Sequence, residues 1–248
     1  MLMNPTLDNM RTLKLFGMLK ALEAQSEIKE IEGLSFEDRL GLLVDAELLA
    51  RENKQLQSRM KTANLRLSAS IEDLDVQTSR GLDRGTVAAL STCDWIKRTR
   101  NLLVTGPTGA GKTYASCAIA QKACRAGYTV VYERATKLFH DLALAKASGR
   151  YYNILSSIAK KDLIVIDDFA LAPLTDEQRR DLLEIVEDRY NRKSTLIASQ
   201  VPVDHWHDII GDPTIADAIL DRLVHNAHKL CLKAKVSKRK ESHGDMEF

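Results

Sequence analysis

The stretch Gly106-Pro107-Thr108-Gly109-Ala110-Gly111-Lys112-Thr113 constrains this chain more than any other. It follows the pattern G-x-x-x-x-G-K-T, in which glycines let the backbone curl until successive N–H groups face one anion. The helix that must follow adds its unpaired N-terminal N–H groups and the positive end of its dipole. Lys112 supplies a full charge for β- and γ-phosphates, and the Thr113 hydroxyl is a ligand for Mg²⁺. A short apolar run, Asn101–Thr105, leads into the loop, and Ala115, Ile119 and Ala123 then recur at helical spacing. Strand, glycine loop, helix is the order a phosphate loop requires, so this half of the chain is expected to be α/β.

A second half-site follows. Tyr128–Tyr132 reads as a buried strand and Ala135–Ala147 as a helix. Leu163-Ile164-Val165-Ile166 then runs into Asp167-Asp168. Four apolar residues ending in two acids place carboxylates at the carboxyl end of a buried strand, beside the phosphate loop. There Asp167 is expected to hold Mg²⁺ and Asp168 to polarise an attacking water. Asp168 is one methylene shorter than the glutamate usual at this point, which predicts modest hydrolysis. Thr175–Tyr190 is a charged helix with Leu182, Leu183, Ile185, Val186 and Tyr190 inward. Ser194–Gln200 is a further strand with a polar exit. Gln200, and after it Ser199, is the candidate γ-phosphate sensor, the alternative being an ordinary strand end. Arg222, on a helix expected over Ile215–Ala227, has the permanent charge and fork to meet a neighbouring subunit's γ-phosphate. The alternative is an ion pair with Asp217 or Asp221.

The N-terminal part has a different texture. Leu7, Met10, Leu15, Met18, Leu19 and Leu22 recur near helical period, and Ser35 with Asp38 resembles a capping box. The next helix places Phe36, Leu40, Leu43, Val44 and Leu48 on one side and extends to about residue 65. Residues 1–69 therefore form an all-helical module, residues 70–240 the ATPase domain and residues 241–248 a polar tail. Residues 51–70 hold Arg51, Lys54, Arg59, Lys61 and Arg66 against Glu52 alone. Arg59, Thr62 and Arg66 would share one helical face, which suits a phosphate backbone with little sequence readout. Lys54, Arg59, Lys61 and Arg66 are the candidate DNA contacts. Residues 229–240 are again basic, but the whole chain has a net charge of only +2 and is no polycation. Cys93, Cys117, Cys124 and Cys231 lack metal-ligand spacing and read as reduced thiols of a cytoplasmic protein. His205, His207, His225 and His228 lie at no familiar zinc spacing. Neither an export signal nor a long apolar run is present, so no membrane partner is expected.

Three stretches together resemble one family: Asn101–Thr113, Asp162–Phe169, and Asp212-Pro213-Thr214-Ile215-Ala216-Asp217-Ala218-Ile219-Leu220-Asp221-Arg222-Leu223-Val224-His225-Asn226-Ala227-His228. They are similar to the IstB/DnaC-like AAA+ ATPases, most closely the IstB branch, the helper ATPases of bacterial insertion sequences. The resemblance spans nearly the whole chain, and the third stretch is far more specific than a phosphate loop. It implies a five-stranded parallel AAA+ sheet behind a helical module, with no C-terminal lid. It also implies ATP and Mg²⁺ as cofactors, homo-oligomers on double-stranded DNA with ATP between subunits, and a partner transposase that stimulates hydrolysis. Carried across by position, Gly106, Pro107, Thr108, Gly109, Ala110, Gly111, Lys112, Thr113 and Tyr114 would contact ATP. Thr113 and Asp167 would serve the metal, Asp168 the water, and Arg222 would act in trans. One departure is Tyr114-Ala115-Ser116, where the family usually shows His-Leu-Ala. A helicase loader of the DnaC type shares the core and is the alternative reading.

Overall fold

The computed structural model describes residues 3–27, 33–76 and 81–233. The chain divides into two compact units, Met1–Ser58 and Arg59–Phe248. The boundary precedes residue 69, so Arg59, Lys61 and Arg66 belong to the second unit. The basic run past Lys233 and the polar tail lie outside the described residues.

The first unit holds α1 (Met3–Thr12), α2 (Phe16–Glu27) and most of α3 (Phe36–Ala63). The single early period seen in the sequence is thus two helices, broken where Lys14 adopts φ 58°. Ser35 Oγ accepts from the Asp38 amide, as the capping pattern predicts. The apolar side expected on α3 is mostly open: Leu43 is buried, but Phe36, Leu40, Val44 and Leu48 are exposed. Small residues decide which side packs. A Cβ on Gly17 would lie 2.5 Å from the Ala46 carbonyl and 2.8 Å from the Ala50 Cβ. Glu47 fills the same contact, its Oε2 accepting from the amides of Gly17 (2.7 Å) and Met18 (3.2 Å) at the start of α2.

The second unit opens with the last turn of α3, a 3₁₀ turn (Ile71–Asp73), α4 (Arg84–Ser91) and α5 (Asp94–Lys97). It continues as β1 (Asn101–Thr105), α6 (Lys112–Arg125), β2 (Val130–Arg134), α7 (Ala135–Ala147), α8 (Tyr151–Ala159) and β3 (Leu163–Phe169). Next come α9 (Asp176–Arg189), β4 (Ser194–Ser199), α10 (Trp206–Ile210), α11 (Pro213–Val224) and β5 (Ala227–Cys231). All strand pairs are parallel, in the order β2-β3-β4-β1-β5. A parallel sheet covered on both faces calls for continuous apolar strands, and Leu163–Ile166 of β3 has no exposed surface at all. Each such side chain contributes about 1.5–3 kcal/mol on burial. Leu103, Ile164, Ile166 and Ile197 face a core shared with α7 to α11, while α6 lies against β1 to β4. Helix α9 starts in a full capping box, with Thr175 and Gln178 each bonding the other's amide. Its inward face is Leu182, Ile185 and Val186; Tyr190, expected inward, is the helix C-cap and stays 38% exposed.

Candidate functional site

The strand order puts the carboxyl ends of β3, β4 and β1 side by side, where parallel α/β sheets bind ligands. Each end delivers one part of the site. From β1 comes the glycine loop, which passes into α6 with Gly111 at φ 89° as its N-cap. From β4 comes Gln200, whose Oε1 accepts from Thr108 Oγ1 of the loop at 2.7 Å. From β3 come the two acids. Asp167 is fully buried, while Asp168 turns left-handed (φ 57°) at a register shift between Ile166 and Phe169. That bulge separates the fates of two adjacent carboxylates: one stays in the sheet and the other leans out.

The result is a cavity of about 680 Å³ lined by Arg66, Leu67, Asp73, Thr108, Gly109, Gly111, Lys112, Thr113, Tyr114, Asp168 and Gln200. That volume suits a small organic ligand. Lys112 Nζ donates to the carbonyls of Gly106 (2.7 Å) and Pro107 (2.9 Å). Burial lowers the Lys112 pKa below the usual lysine value, and the charges of Asp167 and Asp168 work in the opposite direction. A phosphate would give that ammonium a better partner than two carbonyls. Asp167 is held from both sides: Oδ2 accepts from Tyr132 Oη at 2.5 Å and Oδ1 from the Asp168 amide at 2.9 Å. An oriented carboxylate is an oxygen donor that fits Mg²⁺, and the hydroxyl of Thr113, which lines the cavity, is a second. Burial, and then the bond to Asp167, raise the Tyr132 pKa, so the phenol keeps its proton.

Most of the sequence-predicted residues meet here. Lys112, Thr113, Tyr114, Asp168 and Gln200 line one cavity, with Thr108, Gly109 and Gly111. Ser199, the second sensor candidate, does not: its hydroxyl donates to the Phe169 carbonyl at 2.8 Å inside the sheet. Gly106 answers a different need, since a Cβ there would lie 2.3 Å from the Leu232 carbonyl. Arg222 lies at the other end of β1, where its carbonyl accepts from Asn101 Nδ2 at 3.0 Å. Its guanidinium pairs with Glu187 of α9, not with the Asp217 or Asp221 of its own helix. This is a charge contact: Nε lies 2.5 Å from Glu187 Oε2 without being aimed at it, and the ring of Tyr190 lies 5.8 Å away.

The basic face expected from Arg59, Thr62 and Arg66 does not form. Asn64 takes φ 51° and α3 stops at Ala63, so Arg66 leaves the helical register. Arg59 Nε donates to the Cys124 carbonyl at 2.9 Å, near the end of α6. Lys54 and Lys61 are exposed. Arg66 turns into the cavity, with Nη1 3.4 Å from Asp168 Oδ2. Sequence spacing missed Tyr132 and Arg66; the signal for the second was Asn64, a residue type prone to the left-handed conformation.

Comparison with known proteins decides the family. The family model described as IstB-like ATP binding protein matches residues 8–244. The chain belongs to this family. Among its relatives is a Sinorhizobium fredii protein named as an insertion sequence ATP-binding protein, 46% identical over 241 residues, or 97% of this chain and 98% of the relative. Another, from Pseudomonas fluorescens and named as the ATP-binding protein of insertion sequence IS1162, is 43% identical over 82% of this chain and 88% of its own. Among solved structures, the IstB-like core resembles the DnaC helicase loader (TM-score 0.55, 19% identity, 66% of this chain, 97% of the other). It also resembles DnaI (TM-score 0.57, 20% identity, 68% of this chain, 92% of the other). These two likenesses speak for the fold alone: a P-loop AAA+ sheet.

Proposed function

We propose that this IstB-like protein is the ATP-driven helper of an insertion-sequence transposase. It assembles on duplex DNA when ATP is bound, presents that DNA as a target, and loosens on hydrolysis. The observation that carries this reading is the cavity itself, where glycine loop, Lys112, Thr113, Asp168 and Gln200 converge beside buried Asp167. The names of the relatives supply the transposition context.

In this reading the loop amides and Lys112 bind and orient the β- and γ-phosphates. Mg²⁺ held by Thr113 and Asp167 would neutralise phosphate charge. Asp168 leans from its bulge toward the open cavity, accepts a proton from water and leaves the sheet undisturbed. Gln200 and Thr108 exchange their mutual bond for bonds to phosphate oxygens. Arg222 has no place in its own subunit's cavity and serves an adjoining copy. To do so it must give up its contact with Glu187 and the bond from Nη1 to the Ala218 carbonyl at 2.9 Å, one turn back on its own helix.

The test is the size of the assembly on duplex DNA with a non-hydrolysable ATP analogue, measured by sedimentation or particle imaging. Large assemblies that need the analogue, and that Lys112→Ala abolishes, are the expected result. Duplex binding that ignores nucleotide, with Lys112→Ala behaving as the parent protein, would overturn the reading.

A further inference from the structure

Arg66 belongs to none of the motifs above, yet its side chain lines the same cavity as Lys112, Thr113 and Gln200. Where α3 ends, Arg66 and Leu67 pass close to the Cys117 thiol of α6, one turn past Lys112 and Thr113. From there the guanidinium reaches the acids at the end of β3. Its Nη1 lies 3.4 Å from Asp168 Oδ2, next to the Asp167 carboxylate that Tyr132 holds. Arg66 therefore stands on the acid side of the cavity, where a terminal phosphate must lie if Lys112 bridges the β- and γ-positions. The contact to Asp168 is long, and the Arg66 side chain remains 41% exposed. A guanidinium so loosely held, facing a pocket built for a polyanion, is available to a stronger partner.

We infer that Arg66 is a γ-phosphate-reading residue supplied by the same subunit, and that it exchanges Asp168 for the phosphate when ATP enters. The exchange does two things. It adds a forked, charged contact that ADP lacks. It also releases the Asp168 carboxylate from a cation that would blunt its basicity, and does so only when there is a phosphate to attack. The inference rests on the nucleotide-site reading above, and it removes Arg66 from the residues expected to touch DNA.

The experiment measures equilibrium binding of fluorescent ATP and ADP analogues to the full chain without DNA, for the parent protein and for Arg66→Ala, Arg66→Lys and Lys112→Ala. Loss of one charged, forked contact should weaken ATP binding by about tenfold or more in Arg66→Ala and leave ADP within about twofold. Arg66→Lys should recover part of the loss, because it keeps the charge and forfeits the fork. The apo melting temperature of Arg66→Ala should move by no more than about 3 °C, since the ion pair is half-exposed. Should Arg66→Ala fail to fold, Arg66→Lys alone must still bind ATP more weakly with ADP spared. Equal weakening of ATP and ADP, or unchanged binding of both, overturns the inference. If Lys112→Ala binds ATP as the parent does, it is the nucleotide site that fails.

Discussion

Two carboxylates, one residue apart, differ in everything but chemistry. Asp167 is buried and doubly bonded; Asp168 is left-handed and open to the cavity. Asparagine tolerates that conformation as well as aspartate does. Asp168→Asn should therefore fold and bind ATP normally while hydrolysis falls at least about 100-fold, the scale of a lost general base. Phosphate release beside analogue binding checks both halves. Tyr132→Phe strips one donor from the buried Asp167 carboxylate. An unmet buried acceptor costs about 1–3 kcal/mol, which a lower melting temperature of the unliganded protein should register. The glycine loop and both acids were legible in the sequence because their spacing is dictated by phosphate geometry. The bulge was not, since nothing in Ile166-Asp167-Asp168-Phe169 distinguishes a straight strand end from one that kinks. Nor was the redirection of Arg66, which one left-handed asparagine decides.

At the level of helices and strands, period was a sound guide wherever a sheet or a core set the pattern. Ala135–Ala147 forms as expected, and β1, β3 and β4 fall where apolar runs placed them, while β2 (Val130–Arg134) starts two residues after the expected Tyr128. Period misled where small residues and polar anchors choose the packed side, as on α3. There Glu47 is the pin, taking amide bonds from α2 and a 2.7 Å bond from Arg51. The Arg51 hydrogen bond is foremost in holding its pKa below the usual carboxylate value. A depressed carboxylate stabilises the folded form fully above the ordinary value of 4.5 and less as pH falls through the lowered one. Acid titration followed by amide exchange should show Gly17 and Met18 losing protection in that lower window, and Glu47→Gln should lose the dependence. In the second unit, Arg189 plays the pin. It is 1% exposed and donates to the carbonyls of Ile158 (2.7 Å) and Lys161 (2.9 Å) and to Ser194. Burial lowers its pKa to about 10, so it is still charged at neutral pH. Arg189→Met leaves those carbonyls unmet and should cost about 3–5 kcal/mol, seen as a shift of the denaturation midpoint.

Across the whole molecule, Arg222 and the phosphate loop occupy opposite ends of β1. One copy is thus unable to bring both to one nucleotide. Mixing Lys112→Ala with Arg222→Ala protein should restore part of the hydrolysis that each lacks alone, because some junctions then combine an intact loop with an intact arginine. Phosphate release against mixing ratio checks this, and a flat, inactive profile would count against the shared site. The chain leaving β5 has its own lesson. Leu232 donates to the Thr105 carbonyl at 2.7 Å, and side chains on Gly81 or Gly106 would collide with the Cys231 and Leu232 carbonyls. The strand's exit is thus clamped between two bare backbones, one of them the root of the phosphate loop. A load placed on this exit is consequently felt at the phosphate loop, so protein carrying a C-terminal fusion should be compared with untagged protein before any nucleotide constant is believed.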